Sequence, residues 1–212
     1  MNREEKHESS RRRILESALR AFAEQGYHAA ALNEIGARAG VSKGLIYHYF
    51  KDKDELYLSC VAECFDALTV YLSGVSAALG GPPEEWLRRY FEKRLRFFAA
   101  HPLFLGIFTG VILAPPEHLT AEIARRKRPF DELSAAMLEQ LLKRRPLREG
   151  IDIAEVVEEF RWYTDFFNAR FHVKYGGEQD LERILKTREE QCRRQVEILL
   201  FGVWRNENEQ EA

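Results

Sequence analysis

Apolar residues recur at spacings of three and four along most of this 212-residue chain, and no segment alternates convincingly between apolar and polar residues. The first pattern is typical of helices that bury one face, whereas alternation would indicate half-buried strands. The 13 Gly and 7 Pro residues fall mostly where periodic segments end. The sequence therefore predicts an all-α fold.

The breaks between periodic segments predict the positions of the helices. The predicted helices span residues 9–26, 32–40, 42–50, 55–78, 84–100, 102–113, 119–145, 152–174 and 179–204. The later breaks include Gly80-Gly81, Ala114-Pro115-Pro116 and Gly176-Gly177. Pro129 is expected to kink or split its helix near Arg128. Residues 1–8 and 206–212 are expected to be disordered.

Composition limits the class of protein. With 45% hydrophobic residues the chain carries too much apolar mass for a disordered protein. Its 3 cysteines cannot form a complete disulfide framework, and the polar first eight residues do not resemble a signal peptide. No apolar run was found that approaches the roughly 20 residues needed to span a bilayer. We therefore expect a soluble, cytoplasmic protein with no membrane partner.

The second and third predicted helices have the proportions of a helix-turn-helix, in which the later helix enters the DNA major groove. They are short, they follow a longer helix, and Gly40 joins them. At about 100° per residue, Val41, Leu45 and Tyr49 share one arc, with Ile46 at its edge. Residues 43, 44 and 47 fall on the opposite side, which is expected to face outward.

The outward residues suit contact with DNA. Ser42 can cap the helix and offer its amide and hydroxyl to a phosphate. Lys43 supplies a cation, and Gly44 lets the backbone approach the groove. Hydroxyl, imidazole and ammonium groups can bind phosphate oxygens. The six predicted DNA-contacting residues in this region are Ser42, Lys43, Gly44, Tyr47, His48 and Lys53. The alternative is that the aromatic residues among them belong to the core.

The charge distribution favours the DNA-binding interpretation. Residues 11–53 contain eight basic and four acidic residues, a balance of +4, so the rest of the chain carries −6 of the total of −2. A basic end on an acidic body is typical of a protein that contacts DNA locally.

The residues that carry this pattern resemble a known family. Residues 39–50, Ala-Gly-Val-Ser-Lys-Gly-Leu-Ile-Tyr-His-Tyr-Phe, followed by Lys53-Asp54-Glu55-Leu56, closely resemble the N-terminal signature of the TetR family of transcriptional regulators. The resemblance covers roughly residues 10–60. It implies an all-helical homodimer that binds a palindromic operator and releases it when a small ligand enters the C-terminal domain. We accordingly predict a helix-turn-helix domain at 1–53 and a ligand-binding and dimerisation domain at 54–212.

One position departs from the family pattern. The family usually has Thr or Ser before its second helix, where a hydroxyl caps the helix and touches a phosphate, but here Ala30 and Ala31 occupy those places. The missing cap should cost about 1 kcal/mol of helix stability. The phosphate contact is expected to pass to Asn33 or to backbone amides.

The predicted helix 152–174 is apolar on two nearly opposite sides, whereas a surface helix needs only one apolar stripe. Two stripes indicate burial between the chain's own core and a partner subunit. The last helix also carries an apolar stripe, and pairing both helices with a symmetry mate would give a four-helix interface. The predicted interface residues are Trp162, Phe166, Val173, Cys192, Val196, Leu199 and Leu200. The alternative is that both stripes are intramolecular core.

Aromatic residues of the middle helices mark a region for a hydrophobic ligand. The predicted region comprises Phe97, Phe98, Phe104, Phe108, Trp162, Tyr163, Phe166 and Phe167, and plain core packing is the alternative for any one of them. Cys60 and Cys64 are interpreted as packing residues in preference to sensors. No metal site or cofactor is predicted, because His101, Glu117, His118 and His172 lack ligand spacing. The basic run at residues 125–128 is interpreted as a solvated helix face.

Together these features predict a ligand-responsive, homodimeric transcriptional repressor, located with the nucleoid, that is released from a palindromic DNA operator by a small hydrophobic effector. It is not expected to be an enzyme, because no glycine-rich phosphate loop was found. Two alternatives remain: a helical-bundle carrier of lipids or other hydrophobic ligands, and a metal-dependent helical enzyme.

Overall fold

A computed structural model of the chain describes residues 3–76, 81–175 and 179–204. Within these residues the chain is helical, and its β-type contact is an isolated bridge between Leu147 and Trp204. The helices are α1 (Arg3–Ala29), α2 (Leu32–Ala39), α3 (Lys43–Tyr49), α4 (Lys53–Ser76), α5 (Pro83–Ala100), α6 (Pro102–Leu113), α7 (Thr120–Leu142), α8 (Ile153–Tyr175) and α9 (Leu181–Val203), with a 3-10 turn at Glu117–Leu119. The all-α prediction is confirmed.

Most predicted helix ends lie within about two residues of the observed ones, because specific residues define them. Gly40 ends α2 in the left-handed conformation, with φ 65° and ψ 38°. The side chain of Ser42 caps α3, and Asp180 caps α9. Pro102 stands at the start of α6, where its missing N–H costs nothing. The predicted breaks at Gly80 and Gly176-Gly177, and the predicted disordered tail 206–212, lie outside the described residues.

The beginning of the chain differs from the prediction. Helix α1 begins at Arg3, so residues 3–8, which were expected to be disordered, are helical. The His7 ring connects this segment to α3: its centroid lies 4.5 Å from that of Tyr49 and 5.9 Å from that of His48. Helical geometry is interrupted at Gly26, with φ 75° and ψ 173°, where the sequence predicted the end of the first helix.

Pro129 lies inside α7, which is not split there. A proline removes one backbone donor and leaves the carbonyl four residues earlier without its usual partner. Here Pro129 and Arg125 are both exposed, so water can satisfy the carbonyl of Arg125. The predicted split is therefore not observed, and the alternative of a kink near Arg128 remains a prediction.

The described helices form two compact units. The first comprises Met1–Ala67 and Phe98–Arg128, and the second comprises Leu68–Phe97 and Pro129–Ala212. These units differ from the predicted division at residue 53, because the first part of α4 and all of α6 belong with the three N-terminal helices. Helices α4, α5 and α7 each contribute residues to both units. A functional division at residue 53 remains a prediction.

The first unit buries one apolar face of each N-terminal helix together with α6. Its fully buried large side chains include Ile14, Ile35, Ile46, Phe50, Leu56, Phe65, Phe98 and Phe108. Helix α6 packs directly on α1, and Gly106 permits this contact. A Cβ atom at Gly106 would lie 2.6 Å from the backbone oxygen of Ala23 and 2.7 Å from its Cβ.

The second unit has its own core, formed by α5, α8, α9 and the adjoining parts of α4 and α7. Its buried side chains include Leu72, Trp86, Leu87, Leu138, Leu141, Leu142, Ile184, Leu185 and Leu200. Arg94, Arg188 and Glu189 are also buried here, and the buried charges are described with the cavity below.

One stretch of α4, Lys53–Gly74, is long and apolar enough to cross a membrane by length and composition. The consecutive helices α5 and α6 pass the same test only as a broken pair. The expectation that no stretch approaches this length is therefore wrong for α4, because its few charged residues had interrupted the apolar run. Half of the α4 stretch is buried inside the protein, as in a core helix.

The close approach of α6 to α1 predicts opposite effects of alanine at two glycines of the same helix. Gly106→Ala should lower the free energy of unfolding by about 1–3 kcal/mol, because its Cβ overlaps Ala23. Gly110→Ala meets no atom within 4 Å and should raise it by about 0.5–1 kcal/mol through helix propensity. Urea unfolding of both variants measures this, and equal effects would exclude a special role for Gly106.

Candidate DNA-binding surface and ligand cavity

The turn between α2 and α3 is fixed by backbone hydrogen bonds. The amide of Gly40 donates to the carbonyl of Ala37 at 3.2 Å, and the amide of Val41 donates to the carbonyl of Gly36 at 2.9 Å. Gly40 combines a positive φ with a close neighbour, because a Cβ there would lie 3.3 Å from Nη2 of Arg13. Glycine is therefore required at this turn on both conformational and steric grounds.

Two side chains of α1 hold this turn and α2 in place. The Arg13 guanidinium donates from Nε to the carbonyl of Ala39 at 3.0 Å and from Nη2 to the carbonyl of Gly40 at 3.1 Å. The buried Ser17 hydroxyl donates to the carbonyl of Ile35 at 2.9 Å. Neither contact can be predicted from the sequence, because no local pattern reveals contacts across 26 and 18 residues.

Helix α3 presents the face that the sequence predicted. The amide of Leu45 donates to Oγ of Ser42 at 3.2 Å, which caps the helix. Ser42, Lys43, Gly44, Tyr47 and His48 are all exposed, and 48% of Tyr47 is accessible. The Lys43 ammonium lies 5.8 Å from the centre of the Tyr47 ring, so a cation and a phenol occur together on the outer face.

The buried side of α3 differs in one respect. Ile46 was placed at the edge of the buried arc, but it is 1% exposed, whereas Val41, Leu45 and Tyr49 are half-buried. The reason is that Ile46 packs toward Gly36 of α2. A Cβ atom built on Gly36 would lie 3.4 Å from Cδ1 of Ile46. The absence of a side chain on Gly36 thus sets the orientation of α3.

The other two predicted DNA-contacting residues have different environments. Asn33 is exposed near the start of α2. Lys53 is half-buried; its ammonium donates to the carbonyl of His28 at 3.2 Å and lies 4.7 Å from the centre of the Tyr27 ring. Burial lowers the pKa of Lys53, opposed by the charge of Asp54. Its contact with a phosphate remains a prediction.

A polar cluster that the sequence did not reveal surrounds the start of α4. The Tyr27 hydroxyl donates to Oδ1 of Asp54, and Nε2 of His118 lies 3.2 Å from Oδ2 of the same carboxylate. Burial, followed by the Asp54 carboxylate, raises the pKa of Tyr27 to about 12, so the phenol keeps its proton. The cluster joins α1, the start of α4 and the 3-10 turn.

A cavity of about 520 Å³ lies within the second unit, between α5, α7, α8 and α9. Its volume is in the range of small-molecule sites. Of the eight aromatic residues predicted for a ligand region, Tyr163 and Phe167 line it. Aromatic residues that the prediction omitted complete the wall: Trp86, Tyr90, Phe91, Phe130 and Phe160.

The remaining predicted ligand residues lie elsewhere. Phe98 and Phe108 pack on each other in the core of the first unit, with ring centres 4.6 Å apart. Phe97 packs on Tyr71 at 5.3 Å, and Phe104 packs on His101 at 5.6 Å. These four residues do not line the cavity. The sequence could not show this, because helical periodicity identifies an apolar face but not which apolar faces meet.

Trp162 and Phe166 also lie outside the cavity wall. They are 71% and 64% exposed, and Val173 on the same helix is 84% exposed. The spacing of these residues places them along one side of α8. On α9, Ile198 and Phe201 are likewise more than half exposed, although the prediction had not included them.

The other residues predicted for a dimer interface are less exposed. Cys192, Val196 and Leu199 are half-buried and line the cavity, and Leu200 is 1% exposed. Their place in a dimer interface remains a prediction. The exposed apolar face is defined here as Trp162, Phe166, Val173, Ile198 and Phe201, of which Ile198 also lines the cavity.

Three buried charged residues lie at the cavity. Nε of Arg94 is 3.1 Å from Oε2 of Glu189, and Nη1 of Arg188 donates to Oε1 of Glu189 at 3.0 Å. Nη2 of Arg188 also donates to Oδ1 of Asn168 at 2.8 Å. Burial alone would lower the pKa of Arg94, but Glu189 together with Tyr90 and Cys192 outweighs it, and the pKa is raised. The Arg94 guanidinium is therefore charged.

The thiols of α4 are packing residues in the structure. Cys60 and Cys64 are both buried, and burial raises the pKa of each thiol well above its ordinary value. A reactive cysteine instead requires a stabilised thiolate. In residues 3–76, 81–175 and 179–204, no group of three or more His, Cys, Asp or Glu side chains is arranged to hold a metal ion.

Comparison with known proteins agrees with this architecture. Residues 14–60 match the family model described as bacterial regulatory proteins, tetR family. The fatty acid degradation regulator FadR of Bacillus halodurans superposes with a TM-score of 0.61 at 19% identity, over 86% of this chain and 97% of that one. FadR of Bacillus subtilis, determined in complex with stearoyl-CoA, gives 0.62 at 19% identity, over 85% and 96%. The fold shared with these structures is all-helical, with an N-terminal helix-turn-helix.

Sequence relatives extend the comparison. The transcriptional activator FasR of Mycolicibacterium smegmatis is 45% identical over 69 residues, which are 32% of this chain and 30% of that protein. The transcriptional repressor AcnR of Corynebacterium efficiens is 37% identical over 97 residues, 42% of this chain and 52% of that protein. The matches thus span about a third to a half of these curated relatives. The likeness to the TetR family therefore lies in the N-terminal part of the chain, over residues 14–60.

The start of α2 offers a stability test. Ala31 occupies the N-cap position with extended backbone and makes no side-chain cap, as the sequence predicted. Ala31→Thr should raise the free energy of unfolding by about 1 kcal/mol, because a hydroxyl there can accept from a free amide of the first turn. The matched control Ala37→Thr, exposed within the same helix, should lower it by a few tenths. Thermal unfolding distinguishes the two, and destabilisation by both would contradict the capping argument.

Proposed function

We propose that the chain is a ligand-responsive, homodimeric transcriptional repressor that binds a palindromic operator through α3. The observation that carries this proposal is the exposed face of α3, with Lys43 and Tyr47 side by side on a helix that Arg13 fixes through the preceding turn. Such rigid presentation is what base and phosphate contacts require, since displacement of the helix would misalign all of them.

The chemistry of this face supports DNA as its partner. Lys43 can neutralise a phosphate or donate to a guanine edge, and Tyr47 and His48 can donate to phosphate oxygens. The free amides at the start of α3 add a site for an anion. Asn33 and Lys53 flank this face along the chain, and we propose that they contact the DNA backbone.

A dimer would place two copies of α3 on one operator. Half-sites lie about 34–36 Å apart, or a multiple of that distance. The exposed apolar face supports self-association, because large apolar side chains left in water mark candidate protein–protein interaction sites. We propose that this face packs against its counterpart in a second copy and forms a four-helix interface.

The cavity is the proposed effector site, and we propose that a hydrophobic small molecule occupies it. Its aromatic wall supports an apolar ligand, and one structural relative is described in complex with stearoyl-CoA. Because α4 is continuous from Lys53 to Ser76, a displacement of its later part would move its first turn beside α3. The effector must bind the DNA-incompetent arrangement more tightly, or it would not shift the equilibrium.

The relatives named above are regulators, and we propose that this chain likewise acts by binding and not by catalysis. Its place of action would be the cytoplasm, at the bacterial chromosome.

Substitutions on α3 test the DNA-binding proposal. Lys43→Ala and Tyr47→Ala should each weaken binding to duplex DNA from upstream of the chain's own gene by about 1–3 kcal/mol. Lys43→Ala should also reduce the salt dependence by about one phosphate contact. Both side chains are exposed, so melting temperature and oligomer mass should not change.

The matched control is Lys186→Ala, which removes an exposed lysine of α9 and should leave binding unchanged. Fluorescence anisotropy with upstream and random duplexes at several salt concentrations gives the affinities. Equal wild-type affinity for the two duplexes would overturn the proposal.

The dimer proposal is tested on the exposed apolar face. Phe166→Glu should shift the protein toward monomer, because a carboxylate would be buried without a partner in the proposed interface. Ala136→Glu adds the same charge at an exposed site on α7 and serves as the control. Sedimentation velocity measures both, and an unchanged profile for Phe166→Glu would show that this face does not mediate association.

A further inference from the structure

The buried and the exposed parts of the cavity wall carry different charges. Arg94 and Arg188 line it, each 5% exposed, whereas Glu189, which contacts both, is 1% exposed and does not line the cavity. Two arginine side chains therefore line the cavity, whereas the carboxylate that contacts both does not. The three buried residues together carry a net charge of +1.

The charged residues toward solvent have the opposite balance. Asp131, Glu159 and Asp165 also line the cavity, together with Arg161, and none of the four is buried. Water and salt screen exposed charges strongly. The same pair of charges interacts about four times more strongly at the effective dielectric constant of a protein site than in bulk water. The buried arginines should therefore dominate the choice of ligand charge.

We infer that the cavity selects an amphipathic organic anion, with an apolar body along the aromatic wall and a carboxylate or phosphate head at Arg94 and Arg188. The planar fork of a guanidinium matches both head groups. Burying an anion is costly unless charged donors receive it, and this end of the cavity supplies them. The inference rests on the proposed effector site and specifies the chemical class of the effector.

The structure also provides donors beside these groups. The Tyr90 hydroxyl is buried in the same wall, near Arg94 and Ser134. Its ring lies 5.8 Å from the guanidinium carbon of Arg94. Burial raises the pKa of Tyr90, so the phenol remains protonated and can donate to an anionic head.

The test uses probes that share a twelve-carbon chain and differ in the head: dodecanoate, dodecyl phosphate, dodecan-1-ol and dodecylammonium. Calorimetric titration of the full-length protein at neutral pH gives the affinities. At least one anion should bind about tenfold or more tightly than the alcohol, and the tighter of the two anions identifies the head group. Tightest binding of the alcohol or of the ammonium, or failure of both anions to bind below about 1 mM, overturns the inference.

Two substitutions of opposite sign separate ligand binding from a structural ion pair. Arg94→Met should abolish the preference for the anion, whereas Glu189→Gln should strengthen anion binding severalfold, because it removes the competing carboxylate and retains both guanidinium groups. Neither should alter binding of dodecan-1-ol. Arg88→Met is the matched control, because Arg88 is exposed on the same helix as Arg94 and does not line the cavity, and it should leave the preference intact. Loss of affinity for all probes in both variants would show a purely structural network.

Thermal unfolding checks that each variant folds, and the comparison of probes on the wild-type protein does not depend on any variant. A parallel anisotropy measurement of upstream DNA separates this inference from the proposed function. If the anion binds through Arg94 but DNA remains bound, the repressor model fails and the anion site stands. If DNA binding is specific but no head-group preference exists, only the anion site fails.

Discussion

The left-handed backbone at Gly40 is the constraint on which the recognition surface depends. A positive φ reverses the chain between α2 and α3, and the carbonyls left at the end of α2 need donors. Arg13 supplies them from α1, so one guanidinium ties the direction of the turn to the longest helix of the first unit. Ile46 can then pack over Gly36, and the opposite face of α3 is left to solvent. The packing of the buried side of α3 therefore determines which of its side chains are exposed.

Local signals account for the parts of the fold that sequence alone predicts. A cap such as Ser42, a stop such as Gly40 and a helical proline such as Pro102 act within a few residues, so they define helix ends without reference to tertiary structure. The outward face of α3 was also predictable, because a short helix with a single apolar arc has few ways to pack. Contacts such as Ser17 to Ile35 and Asp54 to His118 join distant segments, and no spacing rule reports them.

The cavity also could not be predicted from sequence patterns, because it depends on tertiary contacts. Phe98 and Phe167 are both buried aromatics on apolar helix faces, yet the first fills a core and the second lines a void. Helical periodicity cannot distinguish the two environments, because a packed core and a cavity wall both remove the ring from water. The sequence likewise did not indicate the buried charged residues. Arg94 and Glu189 lie 95 positions apart, and each looks like an ordinary surface charge until the helices bring them within 3.1 Å.

Helix α8 links the two proposed activities of the second unit. Trp162 and Phe166 belong to the exposed apolar face, while Tyr163 and Phe167, one residue later in each case, line the cavity. One residue corresponds to about 100° around a helix, so the two sets occupy adjoining sides of the same rigid element. A ligand that rotates or shifts α8 from within the cavity must also move the proposed dimer contacts, because a packed helix responds as a unit. Effector binding and subunit geometry are then coupled through α8 itself, without a separate relay.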